Sequence, residues 1–236
     1  MKITLALPAY NEEKILKDNV LKLLEFCSKN LTDDWQIVVA DNGSTDQTAE
    51  IAQNLAQNFS AVKFIAAGQR GKGAAIRAAW EQNEADIYCF MDADLATDIS
   101  ALPALIAGVK AGQDLVIGSR FLAGSKVSRS LARKLISRIY RLILKILLNL
   151  KINDAPCGFK AISRKIKEKV LPQVQNNGWF FDSELVILAE KRGYKIKEIP
   201  VVWKDPREGL DKSRVDVFSL GREYLRQVIG LRRRLR

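Results

Sequence analysis

The chain has 236 residues, 47% hydrophobic and 28% charged, enough for one globular domain with a substantial core, and that excludes a stapled miniprotein or a disordered chain. It contains no histidine, which removes Ser-His-Asp and Cys-His catalysis and imidazole zinc sites, while Cys27, Cys89 and Cys157 lack CxxC spacing and fit a reducing cytosol. The net charge of +11 is uneven: 10 basic and 16 acidic residues through Asp114, then 28 basic and 11 acidic, so the second half is suited to nucleic acid, an anionic membrane surface or a phosphorylated substrate.

Short apolar runs alternate with helical periodicity. Strands are expected at Ile3 to Pro8, Gln36 to Ala40, Val62 to Ala66, Ile87 to Met91 and Leu115 to Gly118. Helices are expected at Glu12 to Lys29, Thr45 to Gln57, Gly73 to Gln82 and Ser100 to Lys110. This alternation predicts βαβ units and a parallel sheet, with ligands at the carboxyl ends of its strands. Between Leu115 and Asn153 there are nine Lys or Arg residues and no acidic one. A helix over Leu131 to Leu150 would carry Lys134, Arg138, Arg141 and Lys145 on one narrow face, with leucine and isoleucine over much of the rest. Its bland reading is a core helix whose basic stripe faces water; the other is a membrane-surface helix, aided by the basic tail Arg232 to Arg236. A strand at Phe159 to Ile162, a helix at Asp182 to Lys191, a strand at Lys195 to Val202 and a helix from Val215 to about Gly230 complete the expected elements. No signal peptide or membrane span is expected.

The polar clusters fall at the strand ends. If extended, Asp92 and Asp94 at i and i+2 would present two carboxylates to one Mg²⁺ or Mn²⁺; the alternative is a solvated turn. Asp41-Asn42-Gly43-Ser44 reads as an Asn-Gly turn before a helix, with the Asp41 carboxylate also able to receive the N–H donors of a nucleobase. Gln69 to Ala75 has the composition of a phosphate-cradling loop without Walker spacing, and no G-x-G-x-x-G follows the first strand, so a P-loop ATPase and a Rossmann dehydrogenase are disfavoured. Arg70 or Lys72 would there meet phosphate or base.

Seven segments in order, LALPAYNEE, VVADNGSTDQTAEIA, GKGAAIRAA, MDADLATD, IGSRF, DAPCGFKAISR and WFFDSELVILAEKRGYKIKEIPVVW, resemble the inverting nucleotide-sugar glycosyltransferases of family 2, over nearly the whole chain. The nearest subgroup by resemblance is the polyprenyl-phosphate (dolichyl-phosphate) sugar transferases, with DADLAT and CGFK closer to the glucosyl than the mannosyl branch. The resemblance implies a GT-A fold, an α/β architecture with a mostly parallel Rossmann-like sheet. A nucleotide-sugar half (1–118) and an acceptor half (119–214, with an amphipathic interface helix at 131–150) would precede a basic C-terminal helix (215–236). It also implies a nucleoside pocket of Pro8, Tyr10, Glu12 and Asp41, Lys72 near base or phosphates, and Asp92, Ala93 and Asp94 at the metal and diphosphate. Arg70, Arg120 and Arg133 would face phosphates.

Two departures stand out. Ala96 occupies the place of a Gln common in the mannosyl branch, leaving two side-chain ligands, and the acceptor loop G-x-S-K becomes Gly209 to Arg214, so that either Lys212 or Arg214 takes the Lys role.

The expected reaction is metal-dependent, inverting transfer of a sugar, glucose from UDP-glucose in the glucosyl branch, to a polyprenyl phosphate at the cytoplasmic face of a membrane. A phosphate acceptor is already anionic near neutrality, so the missing histidine is no obstacle. GDP-mannose as donor is the alternative. Were the acceptor a sugar hydroxyl, Asp182 or Glu184 would be the candidate base; their other reading is capping of the helix that they begin. A nucleic-acid-binding module would use the same basic half, but no nucleic-acid motif is present and Asp92 and Asp94 would go unexplained.

Overall fold

The computed structural model describes residues 1–204 and 217–235, except the side chains of 131–133 and 217–222. Four nearly continuous apolar runs, Lys2–Ala9 (β1), Asp34–Asp41 (β2), Val62–Ala66 (β3) and Ile87–Met91 (β4), form parallel strands. The interior positions of β1, β2 and β4 are buried on both faces, as expected for strands covered by helices on each side. The covering helices in this half are Leu16–Asn30 (α1), Thr48–Asn58 (α2), Lys72–Glu81 (α3) and Leu102–Lys110 (α4).

Leu115–Ser119 (β5), Phe159–Ser163 (β7) and Ile196–Pro200 (β8) extend the sheet to seven strands in the order β3-β2-β1-β4-β7-β5-β8. Only β7 runs antiparallel, against both β4 and β5, so its amino end meets the carboxyl ends of its neighbours. The strand order reverses at β1 and β4, which places a crevice beyond their carboxyl ends. Leu131–Leu148 (α5), Arg164–Lys169 (α6), Phe181–Lys191 (α7) and Val217–Arg234 (α8) complete the helices. In the core, Trp80 packs against Phe90 of β4 and Phe181 of α7, with ring centroids 5.8 and 6.3 Å apart, joining α3 to the second half.

Several elements differ from the sequence reading. Helix α1 starts at Leu16 rather than Glu12, because the amides of Glu12 and Glu13 donate to Thr48 and Asp46 at the start of α2. The single strand expected over Lys195 to Val202 is two: Pro200 has no N–H to continue the ladder, and Val202–Lys204 (β9) leaves to pair in parallel with the unforeseen strand Lys126–Ser128 (β6). The short helix α6 was also not foreseen.

Candidate functional site

The loops beyond β1, β2 and β3 are joined into one rim. Asn42 N–H donates to the Ala9 carbonyl at 2.8 Å and Ala67 N–H to the Asp41 carbonyl at 2.9 Å. Asn11 Oδ1 accepts from Thr45 N–H at 2.8 Å, and Asn42 Oδ1 accepts from Gly71 N–H. The Asp41 carboxylate, 6% exposed, accepts the amides of Gly43 and Ser44 and so closes the turn read from sequence. Pro8 and Glu12 are half-buried on this rim, Tyr10 is exposed, and Arg70 lies exposed with its stem beside Gly43. Pro8, Tyr10, Glu12, Asp41 and Arg70 therefore border one edge.

Asp92 and Asp94 do not stand on an extended segment. Leu95 N–H donates back to the Asp92 carbonyl at 3.0 Å, Leu95 adopts φ 48°, and Asp94 Oδ1 accepts from Ala96 N–H. A turn rather than strand alternation thus presents the two carboxylates, with Ala93 buried between them. Asp92 Oδ1 lies 2.6 Å from Lys72 Nζ, and the same ammonium lies 2.8 Å from Asp182 Oδ2 at the start of α7. Lys72 is 9% exposed; burial alone would lower its pKa, but Asp182 and Asp92 outweigh burial and hold it well above the usual lysine range. The second oxygen of Asp182 is buried with no hydrogen-bond partner. A side chain at Gly158 would overlap the Asp92 carboxylate, which is why glycine stands in the Cys157-Gly158-Phe159-Lys160 segment. Lys160, fully buried, donates to the Cys157 carbonyl and lies 5.0 Å from the Phe90 ring centre, which fastens this turn against β4.

Two hard carboxylates on one turn, Asp92 packed against Gly158, match the oxygen preference of Mg²⁺ or Mn²⁺. Among the described residues no group of three or more acidic or cysteine side chains is arranged to hold a metal.

The glycine-rich loop before α3 serves packing, not a cradle open to phosphate. Gly71 has φ 133°, and a Cβ there would strike the Asn177 carbonyl. The amides of Gly73 and Ala74 donate to the carbonyls of Gly178 and Asn177, so the first turn of α3 is capped by protein.

The cations of the second half are likewise engaged. Arg120 forms a two-pronged pair with the fully buried Asp154, both contacts 2.8 Å, and sits 5.7 Å from the centre of the Trp203 ring. Arg120, expected to face phosphate, is thus also held by a buried carboxylate whose residue lies just past the acid-free stretch. Glu184 is no base: buried, it accepts the amides of Gln175 and Asn176 and pairs with Arg234 at 2.6 Å. Asp182 does not cap α7 but answers Lys72. The side chain of Arg133 and all of Lys212 and Arg214 lie outside the described residues.

Helix α5 is turned the other way from the core-helix reading. Arg141 and Lys145 reach inward to Asn153, and Arg141 lies 5.1 Å from the Phe121 ring centre, while Leu144 and Leu148 are buried. The outward face is the apolar row Leu135, Ile139, Leu142 and Ile146, 50–70% exposed, with Arg138 exposed beside it. Among the described residues no helix is long and apolar enough to cross a membrane.

Missed by the sequence reading were the roles of Gly158, Lys160 and Asp154. All fall inside DAPCGFKAISR, but that segment carries no chemistry until β7 is known to run antiparallel beside β4.

The glycosyl transferase family 2 model matches residues 4–171. The chain is 31% identical over 229 residues to glycosyltransferase AglD of Haloferax volcanii, covering 96% of this chain and 37% of that protein. It is 32% identical over 214 residues to dolichyl-phosphate beta-glucosyltransferase ALG5C of Trichomonas vaginalis, covering 86% of this chain and 64% of that one. The chain thus spans between about a third and two thirds of these relatives. Among solved structures, glucosyl-3-phosphoglycerate synthase from Mycobacterium tuberculosis in complex with Mn²⁺, UDP-glucose and phosphoglyceric acid superposes with a TM-score of 0.70 at 21% identity, over 99% of this chain and 79% of that one. The shared fold is GT-A.

Proposed function

The chain belongs to glycosyl transferase family 2, and from that membership we propose that it moves a hexose, glucose from UDP-glucose, onto the phosphate of a polyprenyl lipid with inversion at the anomeric carbon. The observation that carries this reading is the Asp92–Asp94 turn at the β1/β4 crevice, with Lys72 paired to Asp92. In this reading the rim of Pro8, Tyr10, Glu12 and Asp41 receives the nucleoside, with residues 1–118 as the donor half and 119–214 as the acceptor half. Asp92 and Asp94 would hold a divalent Mg²⁺ or Mn²⁺, which neutralises charge on the departing diphosphate. Lys72, held by Asp182, would offer its ammonium to the diphosphate beside Asp92. Arg70 screens the outer phosphate edge. Lys212 and Arg214 are assigned to the acceptor phosphate.

The acceptor reading rests on chemistry and on relatives. The chain has no histidine, Glu184 is tied to backbone amides and Asp182 is paired with Lys72, so neither carboxylate is a free base for a hydroxyl acceptor, whereas a phosphate monoester, with a second pKa of roughly 6, is already anionic. The name of the Trichomonas relative, a dolichyl-phosphate beta-glucosyltransferase, supports the same lipid and sugar. The apolar row on α5, flanked by Arg138, supports docking of this helix on the cytoplasmic face of an anionic membrane, apolar side down, with the arginines of the last turn of α8 adding attraction.

The test is a panel of UDP-glucose and GDP-mannose with Mn²⁺ and, in separate arms, polyprenyl phosphate, unphosphorylated polyprenol and simple sugars. Transfer from UDP-glucose to polyprenyl phosphate alone is expected. Efficient transfer to sugar hydroxyls, with none to the lipid phosphate, would overturn the acceptor and return Asp182 to the role of base.

A further inference from the structure

We propose that Trp179 is the wall of a hexose subsite, its indole stacking on the apolar face of the donor's sugar; the inference rests on the donor reading above and names the residue that receives the sugar. The first observation is an anomaly of burial. Trp179 is 57% exposed, although the two residues after it, Phe180 and Phe181, are buried at 4% and 0%. An indole left in water forgoes a large apolar burial, so its position calls for a partner.

The second observation is that this exposure is held in place. Asn176 N–H donates to Glu184 at 2.8 Å, Gly178 N–H to Asn176 Oδ1 at 2.8 Å, and the carbonyls of Asn177 and Gly178 accept from Ala74 and Gly73. Glu184 is itself gripped by Arg234 of α8. The backbone on the amino side of Trp179 is therefore fixed to α3, and the helix that follows is packed in the core. An indole on such a mount is a pre-organised surface.

The third observation is location. The Trp179 ring centre lies 5.6 Å from Lys72 Nζ, the same ammonium that lies 2.6 Å from Asp92. With the nucleoside assigned to the loops after β1 and β2 and the diphosphate to Asp92, Trp179, which shares Lys72 with Asp92, is assigned to the hexose. A pyranose ring presents a C–H face that is apolar and an edge of hydroxyls, the pairing that a flat amphipathic ring accepts. Positive charge also develops at the anomeric carbon as the diphosphate departs, and an aromatic face attracts it; the Lys72 ammonium holds such a relation to the ring.

The experiment is calorimetric titration of UDP and of UDP-glucose, both with Mn²⁺, into wild type, Trp179→Ala and Trp179→Phe. Trp179→Ala should weaken UDP-glucose roughly tenfold while UDP changes less than about twofold, and Trp179→Phe should recover most of the loss. Equal weakening of both ligands, or of neither, would overturn the assignment of Trp179 and leave the donor reading intact. Absence of UDP and UDP-glucose binding to the wild type would overturn the donor reading itself, and the subsite with it.

Discussion

The turn after β2 and the stretch from Arg120 to Lys145 use charged side chains to different ends. Asp41 closes its own turn through the amides two and three residues on, and still faces the rim. Arg120 is answered 34 residues away by Asp154, Arg141 by Asn153, and Asn153 in turn by Glu198. A positive stretch without acids therefore does not make a row of cations waiting for phosphate: its partners come from other elements. Lys72 belongs to both regimes, since it starts α3 in the first half and is held by Asp182 from the second.

Removing the rim carboxylates should have the largest effect. Asp92→Ala, Asp94→Ala or chelation should lower sugar transfer roughly a thousandfold or more, with the circular dichroism spectrum kept, because the turn lies outside the strands. Near-normal transfer in both variants and after chelation would remove the metal from the account. The converse experiment targets the second region: Asp154→Ala strands a buried guanidinium and should cost about 3 kcal/mol or more in urea denaturation, whereas Arg70→Ala on the exposed rim should stay within about 0.5 kcal/mol. Equal costs would erase the distinction between a structural and a surface arginine.

A smaller effect is expected on α5. Ile139→Asn with Ile146→Asn should reduce co-sedimentation with anionic vesicles about tenfold or more at nearly unchanged stability, since both side chains are already exposed. Unchanged sedimentation would assign that face to something other than a membrane. The smallest signal concerns the thiols. Burial pushes Cys27 and Cys157 up to about 12, and Cys89 also upward, so alkylation of the native protein from pH 7 to 9 should stay far slower than that of the unfolded chain. Because these raised values favour the protonated form in the fold, stability should fall as pH rises above the unfolded thiol range near 9. Rapid modification of native protein at pH 8 would contradict the packing around β4.

The first region was legible because its signals are local. Val62–Ala66 and Ile87–Met91 have the predicted bounds, and the polar clusters fall at the strand ends as the βαβ pattern requires. Asp92 and Asp94 lie beyond β4 as expected, though on a turn rather than an extended segment. The orientation of α5 was not legible: periodicity separates an apolar from a basic face, but Asn153 and Phe121 decide which one turns inward. Gly71 shows the same limit, since its small size suits phosphate as well as the Asn177 carbonyl that in fact lies there.

The central claim is direct displacement by an acceptor phosphate at a site built on Asp92, Asp94 and Lys72. Its most direct test is the anomeric configuration, by proton NMR, of the product that the purified protein forms from UDP-α-glucose and polyprenyl phosphate with Mn²⁺. A β-linked glucosyl phosphate, lost in Asp92→Ala, is predicted. An α-linked product, or β-linked product formed equally well by Asp92→Ala, would contradict it.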